Sequence, residues 1–432
     1  MNIRNLTHHL RLRLEQFRAI LIPDTFKKLK RCDVLLCCHD ANRGETLEGL
    51  AYSRLLDSVA EELMHKGLHC AQFAFHYNVL VGAKAWGRPV SVNRRRFLNG
   101  FILFLLRRFK HLRLLDFGKV VAYQEQHEQH LYAQLLELTD CRCVVAINAA
   151  PALCQVARRK RIPVVELLHG IGYTPVPWGW GTAAADGLPT KILSLDDVST
   201  KTFSTLKHKG IEVRQIPHPW FKRFVDPALR QQLPAEWRVL PSWMQTDRKI
   251  VMVTFQWGFS GEIPYLKGIL PNGLIHDELI RTIELTPSVL WLLRLHPVQL
   301  RRTYYKNQHL FISKLTKKYT NCEWFQASTL PLPLLFHKCH GHITMTSMTV
   351  YEAAFLGVPS LLLSPTLQSG GIHENSFLDL RQTGYATLGT LNAEAIAAWV
   401  RQTQRCATAF QTQGGDDWDA TVEWMFQPNQ ST

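Results

Sequence analysis

Four short segments carry residue types that can do chemistry. The fullest is Gly341-His-Ile-Thr-Met-Thr346-Ser347-Met-Thr349-Val-Tyr-Glu352-Ala-Ala-Phe-Leu-Gly357-Val-Pro359. It reads as a strand, a hydroxyl-rich turn, a short helix stopped by glycine, and another strand. Ser347 or Thr349 is expected to cap the helix, whose first N–H groups lack intrahelical partners and carry the positive end of its dipole. A phosphate fits such an end, so a nucleotide can be held there without a lysine. Glu352, one turn in, is placed to accept ribose hydroxyls or simply to complement the dipole.

The second segment, Leu290-Trp-Leu-Leu-Arg294-Leu-His296-Pro297, ends an apolar strand on an imidazole and stiffens the turn with proline. His296 can donate to a phosphate or leaving-group oxygen, and Arg294 offers a charge that does not titrate. The third, Ile162-Pro-Val-Val-Glu166-Leu-Leu-His169-Gly170-Ile-Gly172-Tyr173, repeats that arrangement. Gly170 and Gly172 let the backbone approach a ligand or take positive φ, and His169 can orient or deprotonate an acceptor. The fourth, His39-Asp40-Ala-Asn42-Arg43-Gly44-Glu45, follows an apolar run. Asp40 is the first choice of general base, with Glu45 and Glu48 expected on a following helix, and Arg43 is placed to hold an anionic acceptor. Gly258, in Thr254-Phe-Gln256-Trp257-Gly258, can admit a phosphate or base.

These segments need strands to aim them. β-rich apolar runs at 33–38, 68–75, 143–147, 163–168 and 190–195 alternate with helical patterns, such as the recurrence of Leu47, Leu50, Leu55, Val59 and Leu63. A second series starts at 249–255 and continues at 289–295, 342–346 and 359–363, with a helix near 392–404. The fold class expected is α/β, two doubly wound Rossmann-like domains with ligands at the C-terminal ends of their strands, in a cleft at the junction. The boundaries expected are 1–219 for an acceptor-side domain, 220–248 for a Pro- and Trp-rich connection without a clear period, 249–405 for a nucleotide-donor domain, and 406–432 for a terminal segment. Its helix-like part, 416–426, is expected to return to the first domain.

The length of 432 residues suits two domains, and 46% hydrophobic with 20% charged residues excludes a disordered or collagen-like chain. The net charge of +15 is uneven. Residues 1–31 hold eight Lys/Arg against two acids, and residues 86–119 hold nine against one. A cationic face on the N-terminal half is expected, facing a phospholipid surface, a phosphate-bearing substrate or nucleic acid. The basic stretches hold no zinc-finger or RNP-type motif, so a nucleic-acid partner is not expected. The start lacks a sustained apolar core, so no secretory signal is expected. The run 101–106 is too short to span a bilayer, and 101–117 reads either as an interfacial segment or as a core helix with a basic edge. Ten cysteines without framework spacing suit a reduced cytoplasm, and no zinc-type pairing is present.

Taken together, His169-Gly170 after a strand, Arg294-Leu-His296-Pro297, and Ser347-x-Thr349-x-x-Glu352-Ala with Gly357-x-Pro359 resemble bacterial surface-polysaccharide glycosyltransferases of the GT-B fold, the capsule and lipopolysaccharide enzymes. More distantly they resemble teichoic-acid glycerophosphotransferases and bacterial sialyl- and polysialyltransferases. The resemblance runs over roughly residues 30–400. It implies a nucleotide-sugar donor held by His296, Ser347 and Thr349, acceptor chemistry at Asp40 and His169, and a glycan or lipid-linked glycan acceptor. No metal cofactor is expected, because His296 and the helix terminus at 347–349 can stabilise the departing phosphate, and the cationic N-terminal half is expected to attach a cytoplasmic enzyme peripherally to the anionic inner-membrane surface. A CDP-glycerol-type phosphotransferase or a nucleotide-sugar epimerase on the same fold, and a basic nucleic-acid-binding protein, are the alternatives.

Overall fold

A computed structural model describes residues 14, 17–80, 84–111, 117–301, 305–410 and 417–428. Parts of the basic stretches (1–13, 15–16 and 112–116) and of the terminal segment (411–416 and 429–432) lie outside the described residues. The chain divides into two compact units, Met1–Trp220 with Gln413–Thr432, and Phe221–Thr412.

The first unit contains β1 (Val34–Cys38), β2 (Glu45–Leu47), β3 (Leu50–Tyr52), β4 (Cys70–Ala74), β5 (Cys143–Ala146), β6 (Val164–Leu167), β7 (Lys191–Ser194) and β8 (Glu212–Gln215). Its six-stranded sheet has the order β4-β1-β5-β6-β7-β8, parallel throughout. Every residue of β1, β5, β6 and β7 is buried. β1 and β5 are unbroken apolar runs because helices cover both faces of a parallel sheet, and β6 and β7 keep that pattern apart from the buried Glu166, Lys191 and Ser194. The helical spacing expected from Leu47 to Leu63 is corrected: the helix spans Leu56–His65, and Leu47 and Leu50 belong to the β2–β3 hairpin. Glu48 and Gly49 both have positive φ, 51° and 77°, the conformation that a two-residue hairpin turn requires. Expected helix residue Glu45 therefore stands on β2.

A helix over Trp418–Phe426 packs on the first unit. Buried Lys191 donates to its last carbonyls, those of Trp424 and Gln427, while Trp424 Nε1 donates to Glu212 at 2.8 Å and the Arg142 guanidinium lies 3.9 Å over the Phe426 ring. Cations at the end of a helix complement its unpaired carbonyls.

The second unit contains β9 (Ile250–Thr254), β10 (Leu290–Arg294), β11 (Cys322–Glu323), β12 (Gly341–Thr344), β13 (Ser360–Leu362) and β14 (Ala386–Leu388), in the order β11-β10-β9-β12-β13-β14 and again all parallel. Residues 220–248 are short helices started by their prolines: Pro219–Val225, Pro227–Gln232 and Ala235–Arg238, with a turn at Ser242–Met244. A proline at or just before a helix start keeps no donor idle, which is why the stretch shows no single period. Trp220 and Trp237 are buried. The fold is thus α/β with two parallel, six-stranded, Rossmann-like sheets.

In each sheet the chain reverses its direction of travel once, between β1 and β5 in the first and between β9 and β12 in the second. Doubly wound sheets bind ligands at the C-terminal ends of strands flanking such a reversal. Among the described residues no helix is long and apolar enough to cross a membrane, and the ten cysteines are free thiols.

Candidate functional site

In the second unit, three loops leave neighbouring strands β10, β9 and β12, and amide side chains stitch them together. Gln256, after β9, accepts from the Thr346 N–H at 2.6 Å and donates to Thr346 Oγ1 at 3.1 Å. This joins the loops on either side of the reversal. Gln299 accepts the His296 N–H at 3.0 Å and donates to the Gln256 carbonyl at 3.2 Å and to Gln308 at 3.0 Å. Gln299 is fully buried, and its bonds leave the amide satisfied, as a buried polar group must be.

His296 caps the helix Pro297–Arg301: the Val298 N–H donates to its Nδ1 at 3.1 Å. Nδ1 therefore carries no proton, and the neutral ring has its N–H on Nε2. The capping bond sets the tautomer that makes His296 a donor from Nε2. Ser347 leaves β12 two strands away, about 10 Å at ordinary strand spacing. Its Oγ accepts from the Thr349 N–H at 3.3 Å.

Several expectations change here. The caps of the helix after β12 differ from those expected: Met348 takes the N-cap position with no side-chain bond, Ser347 reaches the first helical N–H from one residue further back, and the helix, Thr349–Ala354, has six residues. At under two turns its dipole contributes little, so the side-chain and loop donors matter more. The Thr349 hydroxyl turns inward, bonding Thr254 Oγ1 at 2.8 Å and approaching His342 Nε2 at 3.4 Å. His342 in turn bonds Thr254 Oγ1 and Ser360 Oγ, each at 2.8 Å, and burial pushes its pKa down to about 3. This buried network ties β9, β12 and β13 together beneath the loops. Glu352 is 6% exposed. Arg294 Nη1 donates to the carbonyls of Ala327 and Leu330 at 2.5 and 2.8 Å, closing the end of the helix Phe325–Thr329. Its charge supports a neighbouring loop. Gly258 has φ of +108°, and a Cβ there would lie 2.7 Å from Ile263 Cδ1, so the turn itself requires glycine.

In the first unit Asp40 follows β1, beside the reversal. Its Oδ2 accepts from the Val79 N–H at 2.8 Å, whereas Oδ1 is buried with no hydrogen-bond partner among the described residues. Burial raises its pKa from 3.8, against the pull of the Val79 bond and of His39. His169 follows β6, two strands from β1. Its ring stacks on Trp178 with centroids 5.5 Å apart, Nδ1 is buried without a partner among the described residues, and burial, then the Arg54 charge, lowers its pKa from 6.5. It is a neutral imidazole at neutral pH. A Cβ on Gly170 would meet Tyr173 Oη at 2.8 Å, and Gly172 takes φ of +69°. The two glycines admit the aromatic ring and the turn.

Arg43 is corrected outright. It is buried, with Nη1 2.6 Å from Asp57 Oδ2 and Nη2 2.5 Å from Gln72 Oε1. Asp57 is itself inaccessible, and burial lifts its pKa to about 6 despite Arg43. A carboxylate that deep needs its counter-charge, so Arg43 holds the interior together.

Glu166 in the third segment has a structural role. It sits fully buried on β6, where its two oxygens accept the N–H groups of Asn148 and Ala149 at 2.7 and 2.8 Å, and burial pushes its pKa up to about 8. It fixes the loop after β5, in which Asn148 takes the left-handed φ of +61°. A charged residue inside the apolar run VVEL is the sequence signal for it. A groove of about 610 Å³ in the first unit, lined in part by Lys28, Met64, His69 and Arg88, opens at the N-terminal end of β4. It lies at the opposite end of the strands from these loops. Among the described residues no three His, Cys, Asp or Glu side chains gather as metal ligands.

No protein-family model matches the sequence, and neither does any curated protein. Solved structures do. UDP-GlcNAc 2-epimerase from Methanocaldococcus jannaschii aligns with a TM-score of 0.53 at 10% identity, over 91% of this chain and 98% of that one. The same enzyme in complex with UDP-GlcNAc and UDP aligns with a TM-score of 0.51 at 12% identity, over 91% and 98%. The wall teichoic acid polymerase TagF aligns with a TM-score of 0.52 at 12% identity, over 99% of this chain and 92% of that one. The likeness shows that the architecture is GT-B-like.

Proposed function

We propose that this chain is a glycosyltransferase that moves a sugar from a nucleotide-sugar donor to a surface polysaccharide or a lipid-linked glycan at the membrane. The observation that carries the reading is the stitched group of loops after β10, β9 and β12. There the Val298 N–H leaves the His296 proton on Nε2, and the Gln256–Thr346 bonds tie the hydroxyl turn to the intervening loop after β9.

The second unit takes the donor. As the glycosidic bond to the nucleotide breaks, negative charge builds on the departing phosphate, and donors already in place stabilise it without reorganising. His296 Nε2 and Ser347 Oγ are those donors, and Glu352 is assigned to the ribose. Catalysis also needs a base to take the acceptor hydroxyl's proton as the new bond forms. Asp40 is assigned that role: its unpartnered Oδ1 and raised pKa are what a carboxylate base requires. His169, neutral and stacked on Trp178, is assigned to orienting the acceptor.

The test has two stages. A thermal-shift screen of nucleotides and nucleotide sugars should show selective stabilisation by one nucleotide class. With that donor, label should then appear in an acceptor glycan, at a rate that EDTA leaves unchanged. No stabilisation by any nucleotide refutes the reading. Turnover of the nucleotide sugar without acceptor selects an epimerase, and transfer of a phosphate-bearing group selects a phosphotransferase.

A further inference from the structure

The helix Asn93–His111 is built inside out. Its sequence, NRRRFLNGFILFLLRRFKH, contains no acid. The inward side begins with polar groups: Asn93 is buried and donates to the carbonyls of Ala19 and Asn78 at 2.9 and 2.6 Å, and Arg95 donates to Gln134 at 2.6 Å with its guanidinium 5.1 Å over Phe26. Ile102, Leu103 and Leu106 are half-buried, while five further apolar residues face out. Phe97, Leu98, Phe101, Phe104 and Leu105 follow helical spacing along one face, with Leu98, Phe101 and Phe104 exposed by 60, 49 and 53%. Arg94 and Arg108 lie on that same face, one before and one after the apolar stripe, and both are exposed. Phe17 and Leu21 extend the exposed apolar surface at 64 and 71%, on a turn that the Asn93–Ala19 and Arg94–Ile20 bonds hold against the helix start.

A helix on a folded core turns its apolar stripe inward, so an exposed stripe flanked by cations has a partner. We infer that this face docks on an anionic phospholipid surface, its Phe and Leu side chains entering the acyl boundary while Arg94 and Arg108 pair with headgroup phosphates. Charge decides against a second copy as the occupant. A twofold contact would set the arginines of one helix against those of the other, with no acid between Asn93 and His111 and only Asp24, held on the N–H groups of Arg94 and Arg95, to offset them. The inference gives the proposed transferase its membrane contact and names the element that makes it, but it does not depend on the donor site.

The full-length protein is sedimented with vesicles of phosphatidylcholine alone and with about one phosphatidylglycerol in three. Binding is expected to the second and to weaken with salt. Replacing Phe97, Phe101 and Leu105 together by serine should cut the partition coefficient at least about tenfold, and Arg94→Gln with Arg108→Gln about fivefold per charge. Phe101→Trp should keep or strengthen binding. Melting temperature and nucleotide affinity should stay at wild-type values in all three. Sedimentation of the serine variant like wild type overturns the inference. So does a wild-type dimer, seen by light scattering, that the serine variant makes monomeric while neither form binds vesicles. Vesicle binding without any nucleotide-dependent transfer would leave this surface standing and remove the transferase.

Discussion

His296 does two jobs that substitution can separate. Its Nδ1 caps the helix Pro297–Arg301 through the Val298 N–H at 3.1 Å, and the same bond leaves Nε2 as the donor. Asparagine is among the best caps, and its side-chain oxygen can take over the Nδ1 bond while providing nothing in the Nε2 position. His296→Asn should therefore melt within about 1 °C of wild type, whereas His296→Ala loses about 1 kcal/mol of capping. In a unit of this size that amounts to about 2–4 °C. Both should lose the bond to the donor phosphate, about 1.5–3 kcal/mol for a charged acceptor, or roughly 10- to 150-fold in affinity or kcat/KM. The assays are differential scanning fluorimetry, and calorimetric titration with whichever nucleotide stabilises the wild type most. Wild-type affinity and turnover in a well-folded His296→Asn protein would refute the reasoning, because only the outer nitrogen has been removed.

Three other substitutions separate site from scaffold. Ser347→Ala should weaken nucleotide binding about tenfold at unchanged melting temperature, while Thr349→Val should cost about 1–3 kcal/mol of stability by orphaning the buried Thr254 and His342 groups, with affinity nearly unchanged. Arg43→Met leaves Asp57 uncompensated and should cost about 3–5 kcal/mol in denaturant unfolding, and adding Asp57→Asn, which removes the charge but keeps an acceptor for the Ser53 N–H, should recover part of it. The base must be deprotonated to act, so turnover should fall as pH drops through the Asp40 pKa and level off above it. Because burial raises that pKa from 3.8, the acid limb should lie above the ordinary Asp range, and Asp40→Asn should abolish it along with most of the rate. If the limb survives in Asp40→Asn and disappears in His169→Ala, the histidine is the base.

Both sheets were legible in the sequence because parallel strands buried on two faces are unbroken apolar runs, as VLLCC and IVMVT show. The strands that escaped are the ones without that property: β8 is only half-buried, β11 has two residues, β14 exposes Thr387, and β2 and β3 carry leucines at helical spacing. Strand-end residues such as Asp40, His169 and His296 could be named because an apolar run followed by a polar side chain marks where a sheet opens to ligand. What each polar group bonds to was not legible. Arg43 and Arg294 looked like charges offered to a substrate, and their partners, Asp57 and the Ala327 and Leu330 carbonyls, are 14, 33 and 36 residues away. The inward turn of Thr349 depends on His342 lying beneath it, on a strand whose pairing no local pattern reveals.

The most direct test is a crystal structure of the protein with the nucleoside diphosphate that stabilises it best. The account predicts a diphosphate oxygen within hydrogen-bond distance of His296 Nε2 and another reached by Ser347 Oγ, with the nucleoside beside Glu352. A nucleotide bound elsewhere, or one whose phosphates turn away from His296, would contradict it.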